Sequence, residues 1–122
     1  MMKSVVPIIH VPDVRSTVEW YERMGFALVR ANEENGEMDW ALVSFGDSEV
    51  MFSEGGRPSE EHRREADLYV HTTDVDGLYG HLPPGVNVVE APHDTFYGMR
   101  ELIVRDVNRF WVTFGERLPR AS

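Results

Sequence analysis

The chain has no cysteine among its 122 residues, which excludes a disulfide framework, a thiolate metal site and a cysteine nucleophile together. It also lacks any apolar run approaching the roughly 20 residues needed to cross a bilayer. The opening MMKSVVPIIHVPD is too short and too soon interrupted for a secretory signal. The expectation is therefore a cytoplasmic protein without a membrane partner. Basic residues are scarce: 12 Lys and Arg stand against 21 Asp and Glu, for a formal charge of -9. A field of that sign repels phosphate backbones, so nucleic acid is not an expected partner, and it concentrates cationic small molecules near any cleft it surrounds. The same acidity is also an ordinary soluble surface.

What is present is the composition of a globular chain, 42% hydrophobic and 11% aromatic with 27% charged, which rules out disorder and fibrous repeats. The length suits one folding unit, or two small repeats sharing a core.

The opening VVPIIHV is β-rich, and Pro12-Asp13 supplies a turn and a cap for a helix over 14–24, stopped by Gly25. Residues 26–30, 40–45 and 50–53 read as strands, with NEENGE and Gly46-Asp47 as turns. Residues 55–66 have no apolar periodicity and read as a connection between module one, 1–54, and module two, 67–116. In the second module a strand at 67–72 precedes a helix capped by Asp74 and ended by Pro83-Pro84-Gly85. Strands at 86–90, 99–105 and 110–114 follow. A shift of 61 residues lays Asp13 on Asp74, Val14 on Val75 and His10 on His71. Each half is then a β-α-β-β-β unit too small to bury its sheet alone.

Strand parity sends Ile9, Val11, Ala41, Val43, Leu68 and Val70 toward the helices. It sends Val6, Ile8, His10, Trp40, Leu42, Ser44, Asp67, Tyr69, His71, Glu101 and Ile103 to the other face, a wet cup.

The segments VVPIIHVPDVRSTVEWYERMGF, DLYVHTTDVDGL and FYGMRELIVRDVNRFWVTF resemble the vicinal oxygen chelate superfamily of glyoxalases and dioxygenases, and most closely its bleomycin resistance protein branch. Val11-Pro12 ahead of Asp13, the WYERMGF stretch, and Tyr97-Gly98-Met99-Arg100-Glu101 running into Arg105-Asp106 carry the likeness over nearly the whole chain. It implies one α+β domain of paired βαβββ modules forming a cup. It also implies a homodimer, with Pro7 at the place where the resistance proteins exchange their first strand. A proline there is equally a guard against edge pairing.

The family's metal-dependent enzymes hold a divalent ion through side chains that correspond, by the repeat shift, to Val6, Asp67, Thr113 and Phe52. Three of these are not strong ligands, and in the resistance branch the ligands are likewise missing. The resemblance therefore implies capture of a cationic or aromatic compound such as a bleomycin-type antibiotic, with no cofactor, no metal and no catalytic residue. Its contacts would be Trp40, Phe52, Tyr69, Tyr97 and Trp111 for stacking and Glu101 for charge, with His10 and His71 alongside. The aromatic residues are equally natural core residues. The alternatives are an enzyme, either a lyase, isomerase or dioxygenase with a displaced metal at His10, His71 and a carboxylate or one using a histidine base, and a binding protein for another metabolite. One departure from the family is the last hairpin, Asp106-Val107-Asn108-Arg109, where Asn108 is expected to take the left-handed position.

Overall fold

A computed structural model of the protein describes residues 1–57 and 64–119. Part of the connection expected at 55–66, residues 58–63, lies outside the described residues. The chain divides into two compact units, residues 1–58 and 59–122. Each is a mixed four-stranded sheet with one helix, the expected βαβββ arrangement.

In the first unit β1 (Ile8–His10) is followed by α1 (Val14–Arg23), β2 (Ala27–Glu34), β3 (Glu37–Phe45) and β4 (Ser48–Ser53). The sheet order is β1-β4-β3-β2, with β1 parallel to β4 of the same chain and the remaining pairs antiparallel. The helix starts where an aspartate satisfies its first free amides: Ser16 N–H donates to Asp13 Oδ1 at 3.0 Å. It ends in a paired C-terminal closure, with Gly25 N–H donating to Glu22 O at 3.1 Å and Phe26 N–H to Tyr21 O at 2.9 Å. Gly25 takes φ +105°, a conformation that a Cβ would strain. Phe26 then returns onto Tyr21, ring centroids 5.1 Å apart. Tyr21 lies on Phe52 at 4.9 Å, and Val11, Val14, Val18, Ala41 and Val43 complete this buried layer.

The second unit repeats the plan with β5 (Leu68–His71), α2 (Val75–Gly80), β6 (Asn87–Asp94), β7 (Met99–Arg105) and β8 (Trp111–Arg117), in sheet order β5-β8-β7-β6. Asp74 Oδ1 accepts from Gly77 N–H at 2.9 Å, the counterpart of the Asp13 cap. The buried layer under α2 is Val70, Val75, Leu102, Val104, Val112 and Phe114. Arg100 fastens β7 to the helix, its guanidinium reaching both Asp76 oxygens at 2.9 and 3.0 Å and Asp94 at 2.7 Å. The Arg100 hydrogen bonds hold the Asp76 carboxyl below its usual range.

Several boundaries differ from the sequence reading, each for a local reason. β2 runs to Glu34 because only Asn35 and Gly36 form the turn, with φ of 53° and 81°. β6 continues past Pro92 to Asp94 through register shifts, which an edge strand tolerates. β8 starts at Trp111 and extends through Gly115 to Arg117. In the last hairpin the left-handed residue is Arg109, φ 71°, not Asn108. Asp106 Oδ1 accepts from the Asn108 and Phe110 amides, both at 2.8 Å, and so closes a three-residue loop. Among the described residues no helix is long and apolar enough to cross a membrane.

Candidate functional site

Alternation along the strands leaves each sheet one face away from its helix. In the second unit Arg100 and Glu116 mark the helix side, since they bond Asp76 and the Val75 amide. Tyr69, His71, Glu101, Ile103, Thr113 and Gly115 therefore occupy the other side. Register places Tyr69 beside Thr113, His71 beside Gly115, and Gly115 beside Glu101.

The centre of this face is a buried carboxylate. Glu101 is 3% exposed, and its two oxygens accept from two tyrosines: Tyr69 Oη donates to Oε2 at 2.8 Å and Tyr97 Oη to Oε1 at 2.7 Å. Among the described residues no Lys or Arg pairs with it. Burying a carboxylate is costly without compensation, and a pair of charge-assisted hydrogen bonds returns about 1.5 to 3 kcal/mol each. The negative charge itself is left unneutralised.

Two local features bring the tyrosines there. Tyr69 stands on β5 and Glu101 on β7, with β8 between them. The Tyr69 ring crosses β8 at Gly115, where any Cβ would collide with the Tyr69 hydroxyl and Cζ. Tyr97 sits at the β6–β7 tip, which is closed by Thr95 N–H donating to Met99 O at 2.8 Å and turned by Gly98 at φ +84°. Burial, then the Glu101 hydrogen bond, pushes the Tyr69 phenol well above its ordinary value. For Tyr97 the Glu101 hydrogen bond leads and burial follows, in the same direction. Both phenols hold their protons firmly.

The other expected site residues fall in three places. His71 borders Tyr69, ring centroids 5.2 Å apart, and Trp111 shares the parity of Thr113 and Gly115 at the far end of β8. Trp40 and His10 lie on the corresponding face of the first unit, with Ile8, Leu42, Met51 and Ser53. The His10 imidazole donates from Nδ1 to Glu54 O at 3.0 Å. Phe52 is a correction. It is 1% exposed against Tyr21 under α1 and is not on the helix-free side. The cause is a change of offset. Ile8 pairs with Met51 and Tyr69 with Thr113, so residues 8 and 69 differ by 61 but residues 51 and 113 by 62. The β3–β4 turn has two residues between Phe45 and Ser48, whereas the β7–β8 loop has three between Asp106 and Phe110. Met51, not Phe52, is the counterpart of Thr113.

With that correction the positions that the resemblance implies for metal ligands hold Val6 and Met51 in the first unit and Asp67 and Thr113 in the second. An alkyl group with a thioether in the one, and a lone carboxylate with a hydroxyl in the other, are not the set of strong donors that a divalent ion needs. Among the described residues no three His, Asp or Glu gather as a metal site. Gly115, unnoticed as a functional position, had a signal in the sequence: a glycine inside a strand marks a close approach.

Comparison with known proteins agrees with this architecture. A family model described as the glyoxalase/bleomycin resistance protein/dioxygenase superfamily matches residues 4–114. Among solved structures, TioX from Micromonospora sp. ML1 superposes with a TM-score of 0.78 at 24% identity, covering 96% of this chain and 100% of that one. A virulence protein from Salmonella typhimurium gives 0.70 at 18%, covering 97% and 99%. A bleomycin-binding protein complexed with bleomycin gives 0.68 at 16%, covering 95% and 99%. No curated protein matches the chain.

Proposed function

This chain belongs to the glyoxalase/bleomycin resistance protein/dioxygenase superfamily, and on that premise we propose that it captures a small organic compound, cationic or aromatic, without metal-dependent catalysis. The binding surface is the helix-free face of the second unit, and a bleomycin-type antibiotic is the leading candidate ligand. The observation that carries this reading is Glu101, a buried carboxylate with two tyrosine donors and no basic side chain among the described residues to neutralise it. A ligand cation completes the electrostatics that the fold leaves open. Tyr69, Tyr97 and Trp111 supply flat apolar area for stacking, with His71 beside them. Trp40 and His10 offer similar contacts on the first unit's own face. The overall charge of -9 raises the local concentration of cations and so the rate of encounter. Likeness in fold to a bleomycin-binding protein supports the choice of candidate.

Capture is stoichiometric: no bond is made or broken, and free compound falls by mass action. The reading includes a cytoplasmic homodimer, with exchange of the first strand as one way to build it, whose mass sedimentation equilibrium would report. Calorimetric titration with copper-free bleomycin tests the function. The expected result is about one drug per chain, weakened by added salt because charge contributes, and weakened further by Glu101→Leu. Absent heat, or binding indifferent to Glu101→Leu, would remove this face as the site.

A further inference from the structure

We propose that Glu101 fixes the polarity of the two tyrosine hydroxyls, so that this face selects ligands by their hydrogen-bond donors and not by positive charge alone. The inference rests on the preceding reading that the face binds a small organic compound. A carboxylate can only accept, so both hydroxyls must spend their single proton on it. The distances, 2.8 Å from Tyr69 and 2.7 Å from Tyr97, are those of well-formed O–H···O bonds. Each phenol oxygen is left with lone pairs and no further proton to donate. A hydroxyl that donates to an anion becomes a better acceptor in turn.

Burial decides which atoms a ligand meets. Glu101 is 3% exposed, whereas Tyr69 is 44% and Tyr97 55% exposed. A compound approaching this face meets the two tyrosines first, with the carboxylate behind them. The neighbouring Thr95 hydroxyl donates to Met99 O at 2.9 Å, and its effect on Tyr97 is to lower the phenol, against the larger raising effect of Glu101. Gly115 holds the Tyr69 ring in place from below, since the ring occupies the volume of a missing Cβ. The pair of oxygens thus reads N–H or O–H groups on a flat ligand: an amidinium, a guanidinium, a primary ammonium or an amide. A quaternary ammonium gains the distant charge and the ring faces only. An anion or aprotic acceptor meets lone pairs and a negative charge.

Three flat probes of similar size separate these cases: benzamidinium, phenyltrimethylammonium and benzoate, titrated into the full chain at one pH and ionic strength and followed by amide and tyrosine ring chemical shifts. Benzamidinium is expected to bind about tenfold tighter than phenyltrimethylammonium, with benzoate weakest. Tyr69→Phe combined with Tyr97→Phe keeps the rings and removes the oxygens, so it should bring the two cations to within about twofold of each other. Glu101→Gln, whose amide can donate to one tyrosine and turn that hydroxyl outward, should narrow the preference in the same direction. An unchanged backbone spectrum in each variant shows that the fold is kept. Equal affinity for the two cations in the wild type, or a preference for benzoate, overturns the inference. If all three probes fail while copper-free bleomycin binds through Glu101, this inference fails alone. If the drug fails as well, both readings fall.

Discussion

The two units share a topology and differ on the face turned away from the helix. Along one track from the parallel strand across the central strand, the first unit places Ile8, Ser53 and Trp40, and the second places Tyr69, Gly115 and Glu101. The pairs correspond: Trp40 lies opposite Ser53 as Glu101 lies opposite Gly115. In the first unit a serine Cβ occupies the middle strand, the outer residue is aliphatic, and an indole covers the third. In the second the middle side chain is absent, so a long phenol crosses the strand to reach a buried acid. One scaffold therefore yields an uncharged track and one built on a buried charge, and the deciding position is the residue with no side chain.

That contrast can be broken most severely at the crossing. Gly115→Val puts a branched side chain where the Tyr69 hydroxyl lies. It should cost about 1 to 3 kcal/mol of stability through overpacking and abolish measurable drug binding. Ser53→Val at the corresponding place of the first unit should change stability by less than about 0.5 kcal/mol. Paired chemical denaturation curves check both, and equal losses would mean the two tracks are not different in kind.

Glu101→Leu removes the charge that distinguishes the second track from the first. Replacing an un-neutralised buried charge by an alkyl group should leave stability within about 1 kcal/mol, since lost hydrogen bonds offset relieved desolvation. Cation binding should fall by about tenfold or more, because the negative charge behind the tyrosines and the orientation it imposes on their hydroxyls are both lost. A large drop in stability would instead make Glu101 a structural residue.

The caps offer a control that ignores the faces. Asp13→Ala and Asp74→Ala each remove one side-chain acceptor from a helix start, and each should cost about 1 kcal/mol in thermal denaturation. A smaller effect follows from pH. Tyr69 and Tyr97 have phenols raised above the ordinary 10.0, so their protonated forms are favoured in the folded state. The stability they contribute is complete below that value and is lost as pH rises through it toward the folded midpoint. Melting curves on either side should show a steeper alkaline decline in the wild type than in Glu101→Leu. Absorbance of the phenolates should rise at lower pH in the variant.

Much of this organisation was legible in the sequence because local signals agreed with the fold. Asp13 and Asp74 cap helices, Gly25 closes one, and alternation in residues 68–71 and 99–105 assigns faces correctly. The failures share one origin, which is that pairing register depends on turns. A single extra residue in the last hairpin shifted the repeat and sent Phe52 to the ligand side of the reading, though it is a core residue. The charged edge of β2 has no alternation to read, so residues 32–34 passed for a turn. Tyr69, Tyr97 and Glu101 were each singled out, but as independent contacts. That they form one hydrogen-bonded group required the absence of a side chain at position 115, whose meaning depends on what lies over it.

In the proposed reading, ligand belongs to the polar face of the second unit. Backbone amide mapping of copper-free bleomycin on the full chain tests it directly. Shifts centred on Tyr69, Tyr97, Glu101 and Gly115, lost in Glu101→Leu, are expected. Shifts centred on Ile8, Trp40, Met51 and Ser53, and retained in that variant, would contradict it.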